Sequence, residues 1–455
     1  MSSSSHILSR RSLLLLAGGT ALSGCVTTTL DKPAPAVAAA FDGTAPARGG
    51  SGVQHWWLSF QDRRMEAHVA AGLNRNLDVQ SAITAIRAAE ADAAAVGAAS
   101  LPQIGASVES GRGRGETGVL QTATSGAFTA SWVIDLFGGQ SAARAEAAAI
   151  RDAAWASADV ARLTVAAAIA TAYVDLRYYQ ESIALARRSV ESRRETLSLT
   201  QARAELGDAG RLDVLQAEQV VAQAQATLPE LEVGFDQALN RLATLTDRRT
   251  AELRPDLQRG GAQPRARFRA SVGVPADVIR ARPDVRAAEL NLVAVAARMG
   301  VAEAELYPSV SLAGNIGINN PTRGSSQRTW QFGPQINLPI FTGGANRARL
   351  RGAEARAEQA HLAWRSAVLN AVEEVENALG AYNRDSRNIA AQSRLVATTE
   401  DMLGVARETY QAGQADFLTV LDAERGILEA RLALATAVHK AALSHIRLNV
   451  AAAAK

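Results

Sequence analysis

Four stretches of the chain alternate apolar and polar residues with a period of two. Ile104, Ala106 and Val108 interleave with Gln103, Ser107 and Glu109, and Phe128, Ala130, Trp132 and Ile134 with Thr129, Ser131 and Asp135. Further on, Val310, Leu312, Ile316 and Ile318 alternate with Ser309, Ser311, Asn315 and Asn319. Trp330, Phe332, Ile336, Leu338 and Ile340 do so with Gln331, Gln335 and Asn337. The pattern predicts four strands of about ten residues, each with one apolar and one polar face. Tilted strands of a transmembrane barrel fit it, and so do strands of a soluble sheet with one face on a core.

The remainder reads as helix. No proline or glycine occurs between Ser141 and Leu206, and at ~1.5 Å per residue that segment reaches about 100 Å. From Arg347 to Ala412 only Gly352, Gly380 and Gly404 interrupt a second such run. These lengths imply coiled-coil-like packing. Return helices carry apolar stripes: Leu228, Leu231, Phe235, Leu239, Leu242 and Leu245 in one, Leu421, Leu428, Leu432, Val438 and Ile446 in the other. Glu424 is a polar intruder in the second stripe. Pro229 is expected to kink or restart its helix.

The two halves repeat. Pro102 of "SLPQIGASVES" and Pro308 of "LYPSVSLAGNIG" lie 206 positions apart (308 − 102). The same offset relates Asp78 to Asp284, and Gly207 of "GDAGRLDVLQAE" to Gly413 of "GQADFLTVLDAE". One offset at separated places argues for internal duplication. The first repeat spans 56–250, with a helix, a hairpin over 102–137, a long helix over 141–206 and a helix over 212–246. The second spans 276–455, with a helix, a hairpin over 308–341, a long helix over 345–412 and a helix over 417–450. Residues 251–275, broken by Gly and Pro, read as a connector.

The N-terminus has the layout of a signal peptide. Arg10 and Arg11 precede the apolar run Leu13–Leu16, and a small-residue stretch ends at Cys25, the only cysteine in the chain. Residues 1–24 are too short to span a membrane. "SRRSLL" fits a twin-arginine signal and an ordinary secretory leader equally. Residues 25–55, rich in Thr, Pro, Ala and Gly, read as a tether, with ordered sequence from Trp56-Trp57. A lone cysteine after Leu22-Ser23-Gly24 resembles a bacterial lipobox, which implies lipidation of Cys25. Val26, in place of a retention aspartate, favours the outer membrane. A net charge of only +3 argues against a dedicated nucleic-acid binder.

If the strands lie in lipid, four of them cannot close. An open edge there leaves backbone groups unpaired at several kcal/mol each, and known barrels need about eight strands or more. The chain must therefore oligomerise. Two copies give eight strands around a filled lumen, and three give twelve around an aqueous channel. The fold class expected is mainly α with a membrane β part.

Across essentially the whole mature chain the sequence resembles the TolC-like outer-membrane efflux factors, and within them the NodT/OprM-type lipoproteins. The residues that carry this are Cys25, "WW" at 56–57, "DLFGG" at 135–139, "LPELE" at 228–232, "RPDVRAAE" at 282–289, "PIFTGG" at 339–344, "EEVENAL" at 373–379 and "FLTVLDAER" at 417–425. The resemblance implies a homotrimer with one twelve-stranded β-barrel in outer-membrane lipid. It also implies a periplasmic α-barrel below, closed at its end by inward-bent helices. Such proteins are passive exit ducts that dock a periplasmic adaptor and, through it, an inner-membrane transporter, often of the resistance-nodulation-division (RND) type. Apart from the lipid on Cys25 no cofactor is implied.

By position, Asp422 matches a gate aspartate of that family, and Asp213 and Tyr410 a latch pair. The latch arginine falls at Ala415 and the second gate aspartate at Thr419, so this chain lacks both. Asp416 stands close enough to supply the missing ring charge. The same aspartates also suit plain helix capping. The helix-turn tips at Gly207 and Gly413, with "RAELGD" at 203–208 and "RETYQAG" at 407–413, are the natural adaptor contacts. The six His residues, at 6, 55, 68, 361, 439 and 445, show no metal-ligand spacing. No phosphate-binding loop or nucleophile elbow is present, and "GRGRG" at 111–115 reads as a tip between strands. No enzyme is expected. A structural periplasmic lipoprotein and a type I protein-secretion duct stay open as alternatives.

Overall fold

The computed structural model describes residues 55–114, 118, 120–266, 275–322 and 325–452. Cys25, the leader, the tether before residue 55 and connector residues 267–274 lie outside them. The elements, in chain order, are a 3-10 turn Trp56–Phe60, then α1 Arg63–Arg75, α2 Leu77–Ala99, β1 Gln103–Arg114, β2 Leu120–Ile134 and α3 Gly139–Glu205. These are followed by α4 Arg211–Ala226, α5 Leu228–Leu245, α6 Thr250–Leu257, α7 Pro275–Ala281 and α8 Pro283–Ala304. The chain ends with β3 Ser309–Pro321, β4 Gln327–Asn337, α9 Ala345–Gln411 and α10 Phe417–Ala451. Pro229 restarts the helix rather than bending it: α5 begins at Leu228, with proline in its first turn where no amide is needed.

Two compact units are present, and each takes segments from both halves of the duplication. Among the described residues one comprises 85–155 and 287–366, the other 55–84, 156–286 and 367–452. The first holds a four-stranded antiparallel sheet in the order β1-β2-β3-β4. Its central pair, β2 with β3, joins the two hairpins, for example at Phe128↔Ile316. "GRGRG" is not all loop: Gly111–Arg114 continue β1 and pair as far as Arg114↔Leu120. Backbone ladder bonds need no side chain, so the glycines there do not end the strand.

The second unit contains the main apolar core. Trp56, Met65, Ile169, Tyr173, Leu242 and Leu257 are all essentially fully buried in it. Each such side chain contributes roughly 1.5–3 kcal/mol by leaving water. The core includes α6, where the sequence reading expected only a connector. Leu253 and Leu257, one turn apart, are 1% and 0% exposed, and this burial holds the segment helical despite the Gly260-Gly261 break after it.

The duplication recurs in the hydrogen bonds. Asn76 caps α2 through its carbonyl and donates Nδ2–H to Leu245 O at 3.0 Å. At the equivalent position in the second half, Arg282 donates Nη1–H to Ala451 O at 2.8 Å. Each half thus ties the start of the helix before its hairpin, α2 or α8, to the last turn of its return helix, α5 or α10.

Candidate functional site

The strand register sorts the side chains into two faces. The row Ile104↔Ala130↔Gly314↔Phe332 crosses all four strands, as does Ala106↔Phe128↔Ile316↔Trp330. Val108, Trp132, Leu312 and Ile336 lie on the same face by alternation. The opposite face carries Ser107, Thr129, Asn315 and Gln331. The apolar face does not lie on a core: Val108 is 82% exposed, Trp330 79% and Phe332 69%. The soluble-sheet alternative needs that face covered, and it is bare. β1 and β4 are edge strands, so the sheet is also open at both sides.

Where helix passes to strand, aromatics and prolines mark the switch. Pro102 and Pro308 stand immediately before β1 and β3, since neither can continue a helix. The Trp132 indole donates to Ser100 O at 3.0 Å. Phe137 stacks on Tyr307 with ring centres 5.0 Å apart.

The other candidate region is the pair of helix-turn tips, and their backbones match bond for bond. Gly207, at φ 84°, donates to Ala204 O at 3.1 Å, and Asp208 to Arg203 O at 2.9 Å. Gly413, at φ 71°, donates to Tyr410 O at 3.0 Å, and Gln414 to Thr409 O at 2.9 Å. Both are Schellman caps, which require the left-handed conformation that glycine takes without strain.

The carboxylates at the tips differ. Asp213 reaches back three residues and accepts from Gly210 N at 2.9 Å, capping α4. Asp416 is the N-cap residue of α10, yet its side chain makes no cap hydrogen bond, and the residue is exposed. Asp422 lies one turn into α10, 73% exposed, with Arg425 3.3 Å away. Asp416 and Asp422 both present charge to solvent.

Asp213 and Tyr410 do not form a latch pair within the chain. The Tyr410 ring is buried with Ala217, Phe417 and Val420. Arg203 holds it instead, its guanidinium 4.5 Å from the ring centre and Nη1 donating to Tyr410 O at 2.9 Å. The Asp213 carboxylate is already occupied by the turn. Arg203 and Arg407 open the two segments read as adaptor contacts, and both guanidinium groups are engaged inside the chain. Arg407 Nη2 donates to Ser192 Oγ at 2.6 Å and to Glu424 Oε1 at 2.9 Å. Thr196 Oγ1 donates to the same Glu424 oxygen at 2.6 Å. This buried network escaped the sequence reading, apart from the interruption Glu424 makes in its stripe.

Histidines are also used internally. His439 Nε2 stands 2.6 Å from Asp175 Oδ1, and His445 Nε2 stands 2.7 Å from Ser59 Oγ. Among the described residues no group of three or more His, Cys, Asp or Glu side chains is placed to hold a metal ion.

An open sheet with one apolar and one polar face, in a chain with two helices of 67 residues, defines the class of outer-membrane channel proteins. The chain belongs to the outer membrane efflux protein family: the model of that family matches it twice, over residues 70–248 and 274–454. It is 38% identical over 415 residues to nodulation protein T of Rhizobium leguminosarum bv. viciae, covering 90% of this chain and 86% of that protein. To outer membrane protein OprJ of Pseudomonas aeruginosa it is 30% identical over 412 residues, covering 87% of this chain and 86% of that protein. The solved outer-membrane channel OprN superposes with a TM-score of 0.86 at 32% identity, over 94% of this chain and 98% of that one. This protein is an efflux channel of the Gram-negative outer membrane, extending into the periplasm.

Proposed function

We propose that three copies close their sheets into one twelve-stranded barrel and act as the passive exit duct of a tripartite pump. The duct takes small toxic molecules from an RND-type inner-membrane transporter through a periplasmic adaptor. The observation that carries this is the sheet itself: one continuous apolar face, one polar face and two unpaired edges. In lipid the apolar face turns outward, the polar face lines water, and the edges must pair with further copies. Strands alternate in direction across the sheet, so β4 of one copy meets β1 of the next antiparallel. The role of a relative supports the cargo class: a toluene efflux pump outer membrane protein of Pseudomonas putida is 30% identical over 447 residues. Lipidation of Cys25 anchors the assembly, and the tips at Gly207 and Gly413 meet the adaptor.

The test is a deletion strain exposed to a panel of solvents, dyes and antibiotics, with purified protein added to planar bilayers. Increased sensitivity, discrete ion conductance and a cross-linked trimer are expected. A strain with unchanged sensitivity that fails to release a secreted protein overturns the small-molecule reading in favour of a protein-secretion duct.

A further inference from the structure

The apolar face of the sheet ends in arginine. Along β1, Ile104, Ala106 and Val108 are followed on the same face by Ser110, Arg112 and Arg114. On β4, Arg328 precedes Trp330 and Phe332 on that face. The register confirms the common side: Arg112 pairs with Thr122, Arg328 with Ile318, and Ile318 with Gly126, which pairs with Val108. The described strand residues carry no other arginine and no lysine, and all three arginines are exposed. Glu109 is the only carboxylate in the described strands, and it points to the opposite, polar face. The sequence of the two turns adds Arg323 and Glu116, both outside the described residues. These arginines sit at the turn end of the strands, away from Pro102 and Pro308 where the long helices join.

A channel that only needed solubility at this rim would have no reason to place its cations on the lipid side. A guanidinium at the edge of an apolar band extends its stem along the hydrocarbon and its head into the headgroup layer. There it makes paired hydrogen bonds to phosphate oxygens. We propose that Arg112, Arg114 and Arg328 form a binding girdle for phosphate-bearing lipid of the outer leaflet. The inference rests on the assembly proposed above. In that assembly the β4 edge of one copy joins the β1 edge of the next, so Arg328 of one copy shares each seam with Arg112 and Arg114 of its neighbour. The site is therefore completed by a second copy, and bound lipid bridges the two.

The experiment is native mass spectrometry of the full-length protein released from phosphatidylcholine nanodiscs with or without diphosphoryl lipid A. The mass of the bare assembly reports the oligomer, so a failure of the trimer reading is visible separately from a failure of lipid binding. Wild-type protein is expected to retain the diphosphoryl lipid and not its dephosphorylated form, and inorganic phosphate is not expected to displace it. The R112Q/R114Q/R328Q variant is expected to lose roughly a hundredfold in affinity, with each cation near an anionic surface contributing about fivefold. R112K/R114K/R328K keeps part of the affinity. Equal retention of dephosphorylated lipid by the wild type overturns the proposal without any variant. Displacement by inorganic phosphate, or undiminished binding by the glutamine variant, overturns it too.

Discussion

Arg407 and Glu424 form an ion pair across the α9–α10 hairpin, with Nη2 and Oε1 2.9 Å apart and the Glu424 side chain only 3% exposed. Ser192 and Thr196 on α3 bond to the same carboxylate oxygen, so three helices meet at one charge. Losing the cation strands a buried carboxylate. Arg407→Met is expected to cost about 2–4 kcal/mol, the lower end reflecting the partial exposure of the arginine. Glu424→Gln, which still accepts from both hydroxyls, is expected to cost about 1 kcal/mol. Thermal unfolding of the two variants in detergent checks the order; equal losses would show that the pair carries no special weight.

That network also marks how far the sequence could be read. Its position was visible, because Glu424 breaks an apolar stripe, but its partners lie on other helices. The duplicate residue, Glu218, follows the same Val-Leu-x-Ala run and is exposed, so that shared pattern alone cannot tell the two environments apart. The strand faces were legible because a period of two sorts side chains whatever the sheet rests on. Sequence position alone does not show that, within one chain, the Asp213 carboxylate is taken by a donor three residues away rather than by Tyr410. Helix α6 was missed because two leucines one turn apart are a weak signal beside a pair of glycines.

Acid should destabilise the helical unit through two histidines. Burial lowers His445 from 6.5 to about 4. Burial, with Arg248 and Arg177 nearby, does the same to His68. Folded-state values below the unfolded one mean that their stabilising contribution is intact above 6.5 and is lost as pH falls toward 4. The loss is on the order of 3 kcal/mol for each histidine as an upper bound. Melting temperatures measured from pH 7.5 to 4.5 are expected to fall, and less steeply in His445→Gln. A slope unchanged by that substitution would remove His445 from the account.

Arg282 is a hub at the start of the second half. It bridges Asp284 at 2.7 Å and Glu374 at 2.6 Å, and donates to Ala451 O. Burial pushes the Asp284 carboxyl up, and the guanidinium beside it more than reverses this, leaving it below the usual range. Arg282→Ala removes the bonds to all three partners and is expected to cost about 2–4 kcal/mol, whereas Arg282→Lys recovers only part because an ammonium cannot fork. Denaturant titration separates the two, and full rescue by lysine would show that charge alone matters.

The exposed aspartates at the second tip are expected to set ion flow. If three copies assemble as proposed, rings of Asp416 and Asp422 are expected to attract cations into a narrow aperture. Asp422→Asn and Asp416→Asn are each expected to weaken cation selectivity and block by divalent ions in planar bilayers, with the double variant weakest. Asp213→Asn, where the carboxylate caps its own helix, is expected to change stability by about 1 kcal/mol or less and leave selectivity alone. If selectivity follows Asp213 instead, the gate lies at the first tip.

Ile316 and Asn315 are adjacent in sequence and opposite in consequence. Ile316 lies between Phe128 and Trp330 on the apolar face, and Asn315 between Thr129 and Gln331 on the polar one. Arginine at 316 must enter hydrocarbon, at a cost of about 2–4 kcal/mol per copy near the middle of the bilayer. A trimer would incur that three times, so Ile316→Arg is expected to abolish recovery of assembled protein from the outer-membrane fraction. Arginine at 315 meets water in the lumen. Asn315→Arg is expected to assemble normally and to lower single-channel cation conductance. Were both variants to assemble equally well, the apolar face would not be the one turned to lipid.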